Sequence, residues 1–170
     1  LFMGDMDKAE QYYQKAAGCN GVHPDPFLGL ATIAVQRGEL DKALDLYRQA
    51  NEVGESDKAA AGIGLILMEL GSHGEAFDYF IQALAMNPEN MIAIFGLVQV
   101  GNALGRLEEV VPHLDNFLAV NPVKSDIRYT LAGCLVSMGR EQDAVKHLEF
   151  IIANEPEYGP ARELYDQIAA

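Results

Sequence analysis

The sequence predicts an all-α fold, a helical-repeat solenoid of about ten helices. Two observations support this prediction: glycines recur every 33 or 34 residues, and each is followed at fixed distances by a small and then a large apolar residue. A constant period of this length is the signature of repeat architectures, in which each unit packs against its neighbours. The recurring glycines are Gly4, Gly38, Gly71, Gly105 and Gly139.

Each position of the repeat has a physical role. Glycine ends one helix in a left-handed turn without steric cost. The residue five positions later is small in most repeats (Ala43, Ala76 and Ala144), so two antiparallel helices can approach closely. The residue nine positions later is large and fills the gap between the pair, as Tyr47 and Phe80 do. Proline closes the second helix in three repeats, at Pro88, Pro122 and Pro156.

With these motifs the chain resembles the tetratricopeptide repeat family over nearly its whole length. Two repeats match the family's turn glycine, small residue, aromatic residue and second small residue, and the second also has the closing proline: Gly38, Ala43, Tyr47 and Ala50, then Gly71, Ala76, Phe80, Ala83 and Pro88. The fourth unit departs from the pattern with Val110, Leu114 and Phe117. The resemblance implies a right-handed superhelical stack of helix pairs that binds protein segments, and the loose match favours a bacterial source.

The repeat boundaries predict a single domain over residues 1–170. It comprises a half repeat with only the second helix (1–23), four full repeats (24–56, 57–90, 91–124 and 125–158) and a capping helix (159–170). The ten helices are predicted at 5–17, 25–37, 40–53, 57–70, 73–86, 90–104, 107–120, 125–138, 141–154 and from 158 to the end. Ser56 and Ser125 are predicted to cap the helices that follow them.

Composition and charge exclude several classes of partner. The net charge is -13, from 25 acidic and 12 basic residues. Binding to nucleic acid or to an anionic membrane surface requires Lys and Arg, so neither is predicted. The chain has no apolar run long enough for a bilayer, so we expect a soluble protein without membrane insertion. Its sequence does not identify the compartment, and we favour the cytoplasm over the periplasm. The charge permits a basic partner, although it also serves solubility.

No catalytic or cofactor-binding pattern occurs in the sequence. It contains no phosphate-binding glycine loop, nucleophile elbow or metal-binding cysteine pair, so we predict no enzyme activity, no catalytic residue, no cofactor and no metal. His113 and His147 hold the same position in adjacent units, but a zinc site needs three or four ligands. We interpret both as ordinary surface histidines, and Cys134 as a small buried residue.

The family resemblance implies that the first helix of each pair lines a concave face. At helical spacing, the predicted partner-binding residues are Leu28, Thr32, Val35, Leu65, Met68, Ile92, Phe95, Gln99, Tyr129 and Val136, with Asp25, Lys58, Ala61, Asn102, Asp126 and Gly133 between them. Most are apolar, and an exposed apolar patch usually marks an interaction site. An amphipathic helix or an extended peptide of a partner protein would suit such a groove.

Two specialised roles known in the family lack their residues here. Lys and Asn for gripping a C-terminal carboxylate are replaced by Leu28, Thr32, Gly62, Ile92 and Gly96, and a ladder of asparagines by Gly29, Gly62, Gly96 and Thr130. The small residues are instead expected to deepen the groove. The sequence thus favours a protein-binding scaffold. The alternatives are a self-associating structural protein, the regulatory arm of a larger protein with a separate catalytic part, and a register error that would place the stripe in the core.

Overall fold

The structure is a computed structural model that describes residues 3–19 and 23–169. These residues form ten α-helices and no β-strand, which confirms the predicted all-α repeat fold. The helices are α1 (Met3–Cys19), α2 (Asp25–Gln36), α3 (Leu40–Val53), α4 (Asp57–Glu69), α5 (His73–Met86), α6 (Met91–Leu104), α7 (Leu107–Val120), α8 (Ser125–Ser137), α9 (Glu141–Asn154) and α10 (Gly159–Ile168). Their bounds agree with the predicted ones to within two residues. Leu1, Phe2, Asn20–Val22 and Ala170, which the predicted half repeat and capping helix include, lie outside the described residues.

The chain divides into two compact units, Leu1–Val100 and Gly101–Ala170. In the first unit α1 packs against α2, α2 against α3, α3 against α4, and α4 against α5. In the second unit α7 packs against α8, α8 against α9, and α9 against α10. Sequence neighbours are therefore also spatial neighbours, as the repeat requires. The single domain and its repeat boundaries remain predictions.

Glycine ends the first helix of each full repeat. Gly38, Gly71, Gly105 and Gly139 have φ values of 76°, 79°, 68° and 72°. At the first of these turns, the N–H of Gly38 donates to the carbonyl of Val35 at 3.0 Å and the N–H of Glu39 to that of Ala34 at 2.9 Å. These bonds satisfy carbonyls that the helix end would leave unpaired. The earlier Gly4 lies within α1, so the turn predicted there is wrong.

The small positions of the second helices lie at the centre of the packing. Ala43, Ala76 and Ala144 are completely buried, and so is Val110, which takes this position in the fourth unit. The second small position is completely buried too, with Ala50 and Ala83 in the first unit. Because interiors are packed to crystal-like density, a larger side chain at these positions would push the paired helices apart.

Aromatic side chains of the second helices fill spaces that glycines leave open. The completely buried Phe80 ring of α5 lies against Gly64 of α4 and Gly96 of α6. A Cβ at Gly64 would lie 2.7 Å from Phe80 Cε1, and one at Gly96 would lie closer still. Tyr47 of α3 meets Gly62 in the same way, and Tyr13 of α1 meets Gly29. In the first unit each ring therefore occupies the space beside a glycine of the next repeat's first helix.

The Asp57 carboxylate, at the start of α4, binds two side chains of the connection between α5 and α6. The Nδ2 atoms of Asn87 and Asn90 donate to Asp57 Oδ2 at 2.8 and 2.9 Å. Asn90 Oδ1 also accepts from the N–H of Ala93 at 3.0 Å, which caps α6. Burial alone would raise the pKa of Asp57, but the two amide hydrogen bonds hold it below its ordinary value.

The two predicted serine caps have different outcomes. Ser56 Oγ accepts a hydrogen bond from the N–H of Ala59 at 3.3 Å, so the cap of α4 is confirmed. The cap predicted at Ser125 is wrong, because this residue is the first residue of α8 and Lys124 holds the capping position.

Candidate functional site

The predicted partner-binding residues of the first unit lie on α2, α4 and α6, and none of them is buried. They are Leu28, Thr32 and Val35 on α2, Leu65 and Met68 on α4, and Ile92, Phe95 and Gln99 on α6. Their spacing of three or four residues places them on one face of each helix. The exposed fractions are 51% for Ile92, 45% for Phe95 and 40% for Val35, which is high for large apolar side chains. We call these eight residues the α2–α4–α6 face.

Two details of the predicted groove are wrong. Ala61 is completely buried, because every residue of α4 from Ala59 to Gly64 is buried and this run of small residues lets neighbouring helices close around it. The glycines Gly29, Gly62 and Gly96 do not deepen a groove, since the rings described above fill the space beside them.

The α2–α4–α6 face is largely apolar, and the sequence from the second turn of α4 to the end of α6 contains no Lys or Arg. Between Lys58 and Arg106 the sequence has four carboxylates and no Lys or Arg. Such a surface favours contact with apolar side chains, and it offers no charge with which to bind an anion. The arrangement is therefore suited to binding a polypeptide segment.

A cleft of about 230 Å³ lies where α1 meets α2. It is lined by Met6, Ala9, Tyr13, Gly29, Thr32, Ile33 and Gln36, so it includes one residue of the α2–α4–α6 face.

Next to this cleft in sequence, Arg37 donates to Asp7 Oδ1 at 2.8 Å and to Glu10 Oε2 at 2.6 Å. The hydrogen bond from Arg37 holds the pKa of Glu10 below its ordinary value. These ion pairs were not predicted from the sequence, because Glu10 and Asp7 lie 27 and 30 residues before Arg37.

The second unit has its own open face on α8, formed by Asp126, Tyr129, Gly133 and Val136. Asp126 is exposed and the other three are half-buried. A Cβ added at Gly133 would meet no atom within 4 Å. We call these four residues the α8 face, and two of them, Tyr129 and Val136, are predicted partner-binding residues.

Tyr158, which precedes α10, borders the α8 face and was not among the predicted site residues. Its ring centroid lies 5.8 Å from that of Tyr129, with the planes tilted by 56°. Its hydroxyl donates to Asp126 Oδ1 at 3.3 Å. Burial and the nearby Asp126 carboxylate raise the pKa of Tyr158. The repeat period could have indicated this residue, because it lies 34 residues after Lys124 and so also directly precedes a first helix.

The two histidines and the cysteine of the second unit form no cluster of ligands. His113 and His147 are half-buried, and burial lowers the pKa of each. His147 Nδ1 lies 3.3 Å from Arg128 Nη1. Cys134 is buried as predicted, and burial raises the pKa of its thiol to about 11. The described part of the chain contains no group of three or more His, Cys, Asp or Glu that could hold a metal ion.

Among the helices of residues 3–19 and 23–169, none has both the length and the apolar character that crossing a membrane requires.

Curated proteins from two distant organisms resemble parts of this chain. The BBSome complex member BBS4 of Bos taurus is 30% identical over 95 residues, which is 55% of this chain and 18% of that protein. The TPR repeat-containing protein MJ1428 of Methanocaldococcus jannaschii is 22% identical over 153 residues, which is 64% of this chain and 27% of that protein. The chain thus spans about a quarter or less of the length of these relatives. The bacterial source remains a prediction.

Solved structures of low sequence identity share the fold. YrrB, described as a TPR protein with an unusual peptide-binding site, has a TM-score of 0.75 at 23% identity, covering 92% of this chain and 81% of its own. MamA has a TM-score of 0.69 at 18% identity, covering 98% of this chain and 92% of its own.

A family model matches a large part of the chain. The model of the tetratricopeptide repeat matches residues 1–60, 28–80 and 62–109. These matches extend over more than half of the chain, and they include the turn glycines, small residues and aromatic residues of the first unit. The chain belongs to the tetratricopeptide repeat family.

Proposed function

We propose that this protein is a scaffold or adaptor that binds an amphipathic helix or extended segment of a partner protein on the α2–α4–α6 face. The observation that supports this most is the exposure of Ile92 and Phe95, at 51% and 45%. The same helix places Ala93, Ile94 and Leu97 in the core, so the exposed residues are not a consequence of a loosely packed helix. Covering them with partner side chains would contribute about 25 cal/mol per Å² of apolar area.

The proposed binding is apolar at its centre, and Leu65 and Phe95 are its main anchors. Aromatic anchors in such patches often contribute most of the binding energy. Acidic residues at the rim, Asp25 on α2 and Asp126 on α8, favour partner segments with basic flanks. Tyr129 and Val136 would contact a partner on the α8 face, a second surface in the second unit.

The relatives are consistent with a binding role. YrrB is described by a peptide-binding site, and BBS4 by its membership of a complex. On this proposal the chain binds a protein and performs no catalysis itself.

The test compares two double variants with the same change in charge. Leu65→Glu/Phe95→Glu places two carboxylates on the α2–α4–α6 face, while Tyr12→Glu/Leu70→Glu places them at exposed apolar side chains away from it (71% and 52% exposed). We expect a protein captured from cell lysate by the parent and the control variant to be lost with the face variant. A photo-reactive amino acid in place of Phe95 should cross-link to that protein, and one in place of Leu70 should not.

Capture and cross-linking together determine whether the proposal holds. Both variants must retain the helical circular dichroism of the parent. Equal capture by both variants, or cross-linking from position 70 alone, would show that the partner binds another surface.

A second candidate is the regulatory arm of a larger protein, and the short span of this chain relative to its curated relatives favours it. Here the bound segment would belong to the same polypeptide. A full reading frame that encodes a catalytic domain, together with a change in its activity on Leu65→Glu/Phe95→Glu, would support it.

A further inference from the structure

Gly133 has no structural reason to be glycine. It lies inside α8, where glycine destabilises the helix relative to alanine, and its φ is not positive. Nothing lies within 4 Å of the position that a Cβ would take, in contrast to the glycines of the first unit that meet aromatic rings. The result is an open space on the α8 face, which we call the notch, with Tyr129 one turn before it along the helix and Val136 one turn after it.

The hydroxyl groups near the notch are already hydrogen-bonded to the backbone of α8, whereas the Asp126 carboxylate has an oxygen available to a partner. The hydroxyls of Thr130 and Ser137 donate to the carbonyls of Asp126 and Gly133 at 2.8 and 3.0 Å, so they are already engaged with the helix backbone. The Asp126 carboxylate accepts from Tyr158 at one oxygen. Among the described residues it forms no ion pair with Lys, Arg or His, so no cationic side chain pairs with it, and its negative charge is offset by its position in the first turn of α8.

The neighbouring aromatic rings present a surface that attracts cations. Tyr129 and Tyr158 are tilted to each other and both are partly exposed. Positive charge over the face of a tyrosine ring is stabilised by the ring quadrupole. The Glu155 carboxylate acts on Tyr158 as well as that of Asp126, so the rings lie in a region of negative potential.

The spacing suits one long side chain. Asp126 and Gly133 are seven residues apart on α8, about 10 Å along the helix axis. An arginine or lysine entering at Gly133 would lay its apolar stem in the notch and along Tyr129. Its charged end would then reach towards the Asp126 carboxylate, and such stems commonly cover apolar surface in this way.

We propose that the α8 face is a subsite for a cationic side chain, arginine or lysine, of the partner polypeptide. The stem occupies the notch at Gly133, the charged group lies over Tyr129 and Tyr158, and Asp126 is its counter-ion. This inference builds on the proposed binding role and gives the partner a specific feature, a basic residue.

A site-resolved titration tests the subsite without knowledge of the partner. The probe is N-acetyl-arginine methylamide, and its matched neutral counterpart is the citrulline derivative. Chemical shifts of the backbone amides are followed by NMR in the whole 170-residue chain. We expect the arginine probe to shift Gly133 and Tyr129, the citrulline probe to leave them nearly unchanged, and added salt to weaken the effect.

Two variants and one control sharpen the result. Asp126→Asn should weaken arginine binding by about threefold to fivefold, and Gly133→Ala should reduce it by filling the notch. Asp115→Asn removes the same charge from an exposed position of α7 and should leave the affinity unchanged. Equal shifts with citrulline, no shift at Gly133, or equal effects of Asp126→Asn and Asp115→Asn would each overturn the subsite.

Failure of this inference and failure of the proposed function are separable. Leu65→Glu/Phe95→Glu lies in the other unit and should not change the arginine titration. The subsite alone would be refuted if that variant loses the captured partner but the arginine probe causes no chemical-shift change on the α8 face. Capture that is unaffected by Leu65→Glu/Phe95→Glu, combined with arginine shifts at Gly133, would refute the proposed binding face alone.

Discussion

In the first unit the aromatic ring at the large position of each second helix lies against a glycine, whereas in the second unit the equivalent positions hold neither an aromatic residue nor a glycine. In the first unit Tyr47 lies against Gly62 and Phe80 against Gly96. In the second, the same positions of the repeat hold Leu114 with Thr130 and Leu148 with Leu164. Each pair of the first unit combines one large side chain with a glycine, which has none. Each pair of the second unit combines two side chains, neither of which is aromatic. The comparison teaches that the repeat tolerates different residues at both positions, and that a ring beside a glycine is one of several ways to fill the space between neighbouring repeats.

The largest expected effect is the loss of a ring that two glycines accommodate. Phe80→Ala should lower the free energy of unfolding by about 3–5 kcal/mol, because the glycines beside the ring have no side chains to fill the cavity. Leu114→Ala should cost less, towards the lower end of about 2–5 kcal/mol. Urea unfolding followed by circular dichroism measures both. A larger cost for Leu114→Ala would show that the second unit depends on its large residue as strongly as the first.

Replacing a helical glycine with alanine should have an effect of intermediate size, and the change in the free energy of unfolding should have opposite signs in the two units. Gly96→Ala should destabilise the protein by about 1–3 kcal/mol, because the new methyl group overlaps the buried Phe80 ring. Gly133→Ala should stabilise it by about 0.5–1 kcal/mol, since the methyl group enters open space and alanine favours the helix. The same urea titrations measure both changes. Destabilisation by Gly133→Ala would mean that the notch on α8 is occupied within the chain itself.

The smallest expected effect is a difference in pH dependence. Burial lowers the pKa of His113 and His147 in the folded state, so the unfolded state binds protons more tightly. Their contribution to stability is complete above the ordinary histidine pKa of about 6.5 and is lost as the pH falls through it. Amide hydrogen exchange in α8 and α9 should therefore become faster relative to α4 and α5 between about pH 7.5 and about pH 5.5.

In the first unit, carboxylates with lowered pKa values make stability depend on pH in a more acidic range. The pKa values of Glu10 and Asp57 are held below the ordinary values, so their contribution is lost only as the pH falls below about 4. His113→Gln/His147→Gln should remove the difference between the units at about pH 5.5. If the double variant keeps the acid response of the parent, other groups are responsible for it.

The helices could be predicted from the sequence because the repeat combines several signals at fixed spacing. The turn glycines fix where each first helix ends, and the small residue five positions later marks the second helix. The role of Gly62 could not be predicted from local pattern, because the Tyr47 ring that fills its space comes from the preceding repeat. The period would have given the pairing, since Tyr13, Tyr47 and Phe80 precede their glycines by 15 or 16 residues.

The site residues were harder to predict where several helices converge. Helical spacing placed Ala61 on the open face, but the small residues around it allow neighbouring helices to cover it. Tyr158 was missed because it lies in a connection, and its contact with Tyr129 depends on how α10 begins. The exposure of Ile92 and Phe95 agrees with the helical spacing, whereas their role in binding stays a prediction.

The bonds from Asn87 and Asn90 to Asp57 constrain how the chain can change in length. Asp57 and Asn90 are 33 residues apart, and Asn90 uses its other atom to start α6. A single-residue insertion in this interval would rotate or shift one of the two ends and leave a buried amide without its partner. Addition of a complete repeat preserves the interval. Growth of such a chain is therefore easy by duplication of whole repeats and difficult by small insertions between these two residues.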